Sequence, residues 1–434
     1  MRLGSFGRRY LSTTFRSLRT RNYRLFWSSQ LVSLTGTHMQ DVALAWLVYE
    51  ITDSPLATAL TITIRFLPNL LLSLHGGVLA DRLPKRRTLI VLQSIQLAFA
   101  LSLAVLTSTG HITLAVIYTL TGLRGLVDAV GGPTRQSFVP EMVGVDDVSN
   151  AVALNSALFN SARLFGPAIG GIVIHALGTA ACFYLNAGSF VAVIVGLLFM
   201  RREELYLVPR PPREKVGVQL REGLRYARAT PEVLVVLMVV ATVGTFGYNF
   251  PATIPIIARE MHSADPLLFG SFFSFLGAGS LLAGLVAASV RRLSQRLFFA
   301  TAVVFVLLLG SIGFSRWVAL TATLLFLAGF AGVLWMITAN TRLQMKAPGH
   351  LRGRVMGIYM LLFAGTTPIG SYFFGQLAER VAGGGSAGTR ITVFITAGLS
   401  VVGVIVGLIY ARRRRGEGDG GVVSEEPQST DQGE

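Results

Sequence analysis

Long apolar runs separated by short polar stretches dominate the pattern of residues along this chain. A helix that crosses a bilayer needs roughly 20 apolar residues. Runs of that length fall near residues 25–48, 56–80, 88–107, 112–133, 150–176, 179–200, 233–258, 266–290, 295–315, 317–340, 352–378 and 390–411. The pattern predicts an all-α integral membrane protein with twelve transmembrane helices.

The longer polar stretches divide the chain into two halves of six helices each. We predict a cytoplasmic N-terminal arm, a first six-helix half, a cytoplasmic linker, a second six-helix half and a disordered cytoplasmic tail, over residues 1–24, 25–200, 201–231, 232–411 and 412–434. The pattern over residues 216–229 favours an amphipathic helix within the linker.

Short motifs recur at matching places in the two halves. Thr-Arg-Gln at 134–136, with Pro140, follows the fourth run, and Thr-Arg at 341–342, with Pro348, follows the tenth. A duplicated six-helix unit is typical of transporters built from two related halves. The sequence therefore predicts that the two halves are pseudo-symmetric.

Composition and charge agree with a membrane protein. Hydrophobic residues make up 52% of the chain and charged residues 14%, whereas soluble proteins average about 25% charged residues. With a cytoplasmic N-terminus, 31 of the 38 Lys and Arg residues lie in the arm, the inner loops, the linker and the tail, and four lie in outer loops. By the positive-inside rule, both termini are cytoplasmic and the protein lies in the cell (inner, cytoplasmic) membrane. Because the basic residues alternate with apolar runs, the net charge of +16 does not indicate binding to nucleic acid.

The most specific polar motif lies between the second and third runs. Residues 76–87 read Gly-Gly-Val-Leu-Ala-Asp-Arg-Leu-Pro-Lys-Arg-Arg. Gly77 permits close approach of a neighbouring helix. Asp81, at the membrane edge, can accept hydrogen bonds from a facing helix N-terminus or from Arg82 and Arg86. We predict a conformational-switch motif here, in preference to a basic turn that only follows the positive-inside rule.

This loop resembles the signature loop of the major facilitator superfamily, from which Pro84 is a departure. Residues 22–27, 45–55 and 133–140 are similar to the enterobactin-exporter and macrolide-efflux branch of that superfamily. The resemblance covers residues 20–411. It implies the major facilitator fold and a secondary active transporter that exports an amphiphilic organic molecule, such as a siderophore or a drug, by alternating access.

The fifth run contains Gly-Pro-Ala-Ile-Gly-Gly at residues 166–171. It resembles a motif that marks exporters and antiporters in the superfamily, although the usual upstream glycine is missing. Pro167 kinks the helix, while Gly166, Gly170 and Gly171 give it a smooth face for close packing. We predict that this face seals the central cavity in one state; ordinary packing of small residues is the alternative.

Ionisable residues inside the predicted spans are costly unless they line water or have a partner. Asp41 is the one acid in the central layer of the first span, which suits proton coupling. The alternatives are pairing with Arg65 or Arg163, and contact with a cationic substrate. Arg65 either pairs in this way or reaches towards the outer interface. We predict Asp41 and Arg163, together with Arg124, as proton-coupling residues.

The fourth span carries Arg124 and Asp128, which are one helical turn apart. The resemblance implies that the basic residue takes part in proton transfer, and that an acid near the cytoplasmic end pairs with the loop after the second span. Asp128 is therefore predicted to face Arg82 or Arg86. A self-contained Arg124–Asp128 pair is the alternative.

Aromatic and amide side chains within the spans suit a cavity for a large ring-containing ligand. Such aromatics also serve as lipid-facing anchors. The candidates for lining the substrate cavity are Gln40, Asn155, Tyr248, Asn249, Trp335 and Asn340.

Several other kinds of chemistry are excluded by the sequence. No phosphate-binding loop of the ATPase type occurs, and the six histidines are scattered without metal-ligand spacing, so we expect neither a cofactor nor a metal. An integral-membrane transferase would need paired acids or a nucleophile with a base, and import of a small solute is a second alternative. We therefore expect no enzyme but a monomeric exporter whose partners are a small-molecule substrate, protons and the lipid bilayer.

Overall fold

The computed structural model describes residues 15–206, 216–263, 265–289, 294–363 and 365–419. Within them the chain is all-α, with no strand, as predicted. The side chains of residues 73–78, 80–81, 216–220, 288–289, 350 and 414–419 lie outside this description.

The first half of the chain folds into long helices joined by tight turns. Ser54 caps α2 by accepting a hydrogen bond from the backbone N–H of Ala57, and Pro55 occupies the first helical position. Gly178, with a φ of 81°, separates α5 from α6. The helices are α1 (Arg21–Thr52), α2 (Pro55–Arg82), α3 (Lys85–Ser108), α4 (Leu114–Val143), α5 (Val148–Leu177) and α6 (Thr179–Leu198).

The second half differs in that two of its spans are broken. A break at Gly247 separates α8 from α9, which has Pro251 in its first turn, and α9 continues into a short π-helix. Another break separates α13 from α14, where Pro368 lies in the first turn. The elements are α7 (Val216–Ala229), α8 (Pro231–Phe246), α9 (Phe250–Ile256), α10 (Pro266–Ser289), α11 (Gln295–Phe314), α12 (Val318–Lys346), α13 (Gly349–Phe363), α14 (Thr367–Arg380) and α15 (Gly385–Asp419).

Ten of the twelve predicted apolar runs fall on a single helix of this set, and the runs at 233–258 and 352–378 fall on the two broken spans. Among the described residues, eleven helical segments are long and apolar enough to cross a membrane. The first predicted span is not one of them. It falls on α1, which has 32 residues but is less apolar because polar side chains, among them His38, Gln40 and Asp41, lie along its middle.

The same helix pairs pack together in the two halves. In the first half, α2 packs on α4, α3 on α6 and α1 on α6; in the second, α10 packs on α12, α11 on α15 and α8 on α15. These pairs occupy equivalent places in the order of spans, in agreement with the predicted pseudo-symmetry. The halves meet mainly where α2 packs on α14 and α5 packs on α10.

The linker helix α7 covers the residues predicted for it and packs on α13. Gly223 approaches Ile358 closely, and Glu222 forms an ion pair with Arg354. The hydroxyl of Tyr226 donates to the carbonyl of Lys346 at 2.8 Å. The linker is thereby joined to the second half.

Candidate functional site

A cluster of charged side chains lies inside the first half, where α1, α2 and α4 meet. Arg65 Nη1 of α2 lies 2.6 Å from Asp41 Oδ1 of α1. Arg124 Nη1 of α4 donates to the same oxygen at 3.0 Å. Arg124 is buried, so that one carboxylate oxygen binds two guanidinium groups in a region of low dielectric constant.

Asp128 completes this charge cluster at a slightly greater distance. Its Oδ1 accepts a hydrogen bond from Gln96 Nε2 at 3.0 Å. Its Oδ2 lies 4.0 Å from Arg65 Nε and 3.9 Å from Arg124 Nε. Both Nε groups are buried without a hydrogen-bond partner. Two arginines thus lie between two carboxylates, with Asp41 bound more closely than Asp128.

These distances decide between the alternatives for Arg65 and Arg124. Arg65 pairs with Asp41 and does not reach towards the outer interface. The alternative of a self-contained Arg124–Asp128 pair is wrong, because Arg124 lies closer to Asp41 than to Asp128.

The predicted pairing of Asp128 with the loop after α2 is also wrong. Asp128 faces Gln96 of α3. Arg86 instead donates to the backbone carbonyls of Leu197 and Leu198 at 2.6 and 2.8 Å, and Arg82 is exposed.

The structure describes only part of the predicted switch motif. Lys85 pairs with Glu141 at 2.5 Å, so the loop is held to the end of α4. The side-chain surroundings of positions 77 and 81, occupied by Gly77 and Asp81, lie outside the described part of the structure. The predicted role of this motif therefore stays a prediction.

Arg163 on α5 is separate from the charge cluster. Its Nη2 lies 3.4 Å from the hydroxyl of Tyr248, at the break between α8 and α9, and its guanidinium lies 5.8 Å from the centre of the Tyr248 ring. No ion pair of Arg163 with an acid occurs in the described part of the chain. Its contact runs from the first half to the second.

Tyr248 belongs to a group of rings that we call the aromatic cluster. Its ring centre lies 5.2, 5.8 and 5.1 Å from those of Phe250, Phe305 and Phe363. Trp335 stacks on Phe305 with an angle of 5° between the rings. Tyr248 is half-buried whereas Trp335 is fully buried, so Tyr248 is the member nearer to open space.

Two amides proposed for the cavity are engaged elsewhere. Gln40 is buried and accepts a hydrogen bond from Asn186 of α6 at 2.7 Å. Asn155 accepts one from the hydroxyl of Tyr23 at 3.1 Å. Both amides therefore tie α1 to its neighbours.

The candidates of the second half differ among themselves. Asn249 is buried and donates to the carbonyl of Thr245, while Asn340 accepts from Gln344. Trp335 has a buried Nε1 without a hydrogen-bond partner. The structure thus brings Tyr248 and Trp335 into one group of rings, and Asn340 adjoins this group through a hydrogen bond with Tyr359, whose ring stacks on Phe363.

The glycine motif of α5 packs against α1. A Cβ added at Gly166 would lie 2.6 Å from Cβ of His38 and 2.8 Å from the carbonyl oxygen of Thr35. At Gly170 it would lie 3.3 Å from the carbonyl oxygen of Met39. Glycine is thus required for this close approach, which lies beside Asp41.

The next glycine faces the second half instead. A Cβ added at Gly171 would lie 2.7 Å from the carbonyl oxygen of Pro266 and 3.2 Å from Cα of Gly270. A Cβ at Gly270 would in turn lie 2.6 Å from the carbonyl oxygen of Pro167. Here α5 and α10 touch backbone to backbone, which is the close helix contact that the motif predicted.

Further contacts join the halves at the end of the bundle that holds the α1–α2 turn. Tyr49 donates to Glu260, and the guanidinium of Arg259 lies 4.7 Å from the ring centre of Trp46. Glu379, at the end of α14, accepts hydrogen bonds from Ser54 Oγ at 2.5 Å and from the backbone N–H of Leu56 at 3.1 Å. We call these interactions the closing contacts.

Gln96, Glu260 and Glu379 are functional candidates that the sequence pattern did not predict. Gln96 is an amide within an apolar span, which is a usable signal for a buried polar partner. The two glutamates lie at the ends of spans, where acids are common and carry no signal.

A family model described as transmembrane secretion effector matches residues 12–416. The multidrug efflux pump Tap of Mycolicibacterium fortuitum is 29% identical over 80% of this chain and 87% of its own length. The staphyloferrin A transporter of Staphylococcus aureus is 23% identical over 82% and 89%. The enterobactin exporter EntS of Salmonella choleraesuis is 22% identical over 91% and 93%.

Solved structures of transporters share the fold. An auto-inhibited peptide transporter of the POT family superposes with a TM-score of 0.71 at 17% identity, covering 91% of this chain and 97% of that one. At this identity the likeness concerns the fold alone, and it agrees with the architecture described above.

Proposed function

Since the chain belongs to the transmembrane secretion effector family of the major facilitator superfamily, and is thereby a multi-pass membrane transporter, we propose that it exports an amphiphilic organic molecule by alternating access in exchange for protons. The observation that carries this proposal is the binding of two arginines by the single carboxylate of Asp41, in the interior of the first half. The charge cluster couples transport to protons, and the contacts between the halves permit alternation between inward-open and outward-open states.

The first step is the assignment of the proton site. Among the described side chains, Asp41 is the acid held most closely by charged partners inside the bundle. In the present arrangement both guanidiniums stabilise its negative charge. A proton replaces them when the helices move apart. Asp128 then receives the released arginines, because it already lies 4.0 and 3.9 Å from their Nε atoms.

The second step connects this site to the movement of the helices. Asp41 lies on α1, Arg65 on α2 and Arg124 on α4, so that a change in the charge of one carboxylate alters the packing of three helices. Through Gly166 and Gly170, α1 also packs on α5, which carries Arg163 and touches the second half. A protonation change at Asp41 is therefore transmitted to the interface between the halves.

The third step concerns the two ends of the transporter. The closing contacts and the Gly171–Gly270 approach hold the halves together at the end with the α1–α2 turn. With cytoplasmic termini, as the distribution of Lys and Arg favours, this end is the outer one, in the inner membrane of the cell. The structure then represents the state that is closed to the outside. In the opposite state, which is open to the outside, the motif around Asp81 holds the inner end closed.

The direction of transport is inferred to be outward. Tap is named as an efflux pump and EntS as an exporter. The glycine motif of α5 makes the close interhelical contacts expected of an exporter-type helix. We propose that one chain, built from the halves at residues 25–200 and 232–411 and joined by the linker at 201–231, suffices for transport.

The test uses inside-out membrane vesicles, in which export becomes uptake. An acid interior should drive accumulation of an organic dye by vesicles that carry the protein, and nigericin should abolish it by collapsing the pH difference. Vesicles without the protein are the control. Accumulation of the dye by intact cells in an energy-dependent manner would instead establish import.

A further inference from the structure

Arg163 carries a positive charge in the middle of α5 without an acidic partner among the described residues. The other two arginines within the spans of the first half, Arg65 and Arg124, are both bound by Asp41. An unpaired charge at this depth costs several kcal/mol unless it lines a water-filled space or finds a counter-ion. Arg163 is only partly buried, so that part of its side chain is accessible to a ligand.

Tyr248 does not remove this charge. Its hydroxyl lies 3.4 Å from Arg163 Nη2, which is long for a hydrogen bond, and a phenol is neutral. The ring adds a weak cation–π attraction. Both interactions hold the guanidinium beside the α8–α9 break, and among the described residues they leave most of its N–H groups free for a ligand.

A proton-carrying role does not by itself explain the contacts of Arg163. A guanidinium does not release its proton in proteins, and no carboxylate among the described side chains forms an ion pair with Arg163 as Asp41 does with Arg124. The proton-coupling role predicted for Arg163 therefore stays a prediction, and its contact with Tyr248 indicates a further role.

The surroundings of Arg163 combine a cation that has no acidic partner among the described residues with two partly exposed rings. Tyr248 contacts the rings of Phe250, Phe305 and Phe363; Phe250 and Phe305 are buried, whereas Tyr248 and Phe363 are partly exposed. A guanidinium binds carboxylate and similar acidic oxygens with two parallel hydrogen bonds. A neighbouring phenol can donate a third, and the aromatic rings favour an apolar or ring-containing body.

We propose that Arg163 and Tyr248 form the binding site for the anionic group of the substrate, and that the substrate is an amphiphilic organic anion whose apolar part lies on the partly exposed rings of Tyr248 and Phe363. The proposal rests on the proposed function, since it names the substrate class of the same transporter. It explains why Arg163 has no acidic partner in the described part of the chain while Arg65 and Arg124 share one. The substrate supplies the missing negative charge.

The site lies between the two halves, since Arg163 belongs to α5 and Tyr248 to the second half. A ligand that binds both therefore senses the distance between the halves. The binding site is separate from the proton site at Asp41, and the α1–α5 contact at Gly166 and Gly170 links the two.

The test compares two dyes that share a xanthene ring and differ in charge, carboxyfluorescein as the anion and rhodamine 123 as the cation. Binding to the purified full chain in detergent is followed by fluorescence polarisation, which needs no transport. We expect the wild type to bind carboxyfluorescein more tightly than rhodamine 123. Arg163→Gln should weaken the binding of the anion at least tenfold and leave that of the cation unchanged or stronger.

Three further variants separate the site from a general loss of structure. Arg163→Lys keeps the charge and should restore part of the affinity for the anion. Tyr248→Phe keeps the ring and should weaken anion binding by a smaller factor. Arg316→Gln removes an exposed arginine and should bind both dyes as the wild type does. Equal binding of carboxyfluorescein by Arg163→Gln and the wild type, or preference of the wild type for rhodamine 123, overturns the proposal.

The same dyes in inside-out vesicles test the proposed function on its own. Binding without pH-driven uptake would refute the proton-coupled export and leave the anion site intact. Uptake of rhodamine 123 but not of carboxyfluorescein would support export and refute the anion site.

Discussion

The guanidinium of Arg65 lies 2.6 Å from the carboxylate of Asp41, with the two residues on neighbouring helices in the interior of the first half. Arg124 adds a second cation to the same oxygen. The carboxylate therefore holds α1, α2 and α4 together as well as carrying a charge. Any change at Asp41 has consequences both for stability and for coupling, and the two have to be measured separately.

The first prediction concerns Asp41→Asn. Removing one partner of a buried ion pair typically costs about 3–5 kcal/mol, because the remaining charges are left uncompensated. We expect a lower melting temperature in detergent, and loss of the dye uptake that an imposed pH difference drives in vesicles. Movement of the dye down its own gradient should persist.

The double variant Asp41→Asn with Arg65→Gln is the matched control. It removes one positive charge along with the negative one, so stability should recover in part while coupling should not. Uphill, pH-driven uptake by Asp41→Asn would exclude this carboxylate as the proton carrier.

The second prediction concerns the loop after α2. Asp81→Asn keeps the size of the side chain and removes its charge. Membrane levels should stay normal while transport falls below about a tenth of the wild-type rate, which corresponds to about 1.4 kcal/mol in the barrier. Arg82→Gln, which alters an exposed residue of the same loop, serves for comparison. Full transport by Asp81→Asn would show that the motif only sets topology.

The third prediction concerns the backbone contact between α5 and α10. Gly171→Leu places a side chain where the carbonyl oxygen of Pro266 lies 2.7 Å from an added Cβ. Overpacking of this kind costs typically about 1–3 kcal/mol, and here the cost falls on the state in which the halves are closed at this end. Cells with Gly171→Leu at normal expression should retain more dye than wild-type cells.

The control for this variant is Gly188→Leu in α6. Nothing lies within 4 Å of a Cβ added at Gly188, so the same chemical change should be tolerated. Equal export by the two variants would contradict a sealing role for the glycine motif.

The fourth prediction concerns Glu379, which binds the N-terminal turn of α2 across the interface. A carboxylate at a helix N-terminus is stabilised by the helix dipole, and a hydrogen bond to a charged group contributes about 1.5–3 kcal/mol. Glu379→Gln should weaken the closing contacts and shift the population towards the state that is open at this end.

The shift can be followed with a cysteine at Thr63, whose hydroxyl donates to the carbonyl of Pro368 at 3.1 Å. The single native cysteine, Cys182, is buried, so a membrane-impermeant maleimide should label mainly Thr63→Cys. Labelling from outside should be faster when Glu379→Gln is also present. Gln376→Glu, on the same helix, should not accelerate it. An unchanged labelling rate would show that Glu379 does not contribute to the closing contacts.

Much of the architecture follows from the sequence, because apolar runs of bilayer length leave the backbone no alternative to a helix. The charges within the spans are also recognisable from the sequence, since each stands out against apolar neighbours. The partners of these charged residues did not follow from the sequence. Asp128 was expected to face the loop after α2, yet the rotation of α4 directs it towards Gln96 and the two arginines. Which helices are neighbours is decided by tertiary packing, to which a pattern along one helix gives no access.

The amides show the same limit, because the contacts of a polar residue depend on tertiary packing. Gln40 and Asn155 are polar residues within spans, as residues of a cavity would be, and the structure uses them to join helices. Tyr248 was recognised as a cavity candidate, but its position beside Arg163 depends on the break after α8 and on the contact between the halves. Glycine spacing was more informative, because a missing side chain predicts close approach whichever helix is the neighbour.

The polar middle of α1 also bears on how the chain is made. A charged residue at the centre of a helix costs about 2.5–3.5 kcal/mol when that helix enters the bilayer from the translocon, and Asp41 is synthesised before either of its arginines. Arg65 follows 24 residues later, on the next helix. We expect α1 to leave the translocon together with α2 as a hairpin whose ion pair has already formed, so that the order of synthesis supplies each charge with its counter-ion before lipid surrounds it.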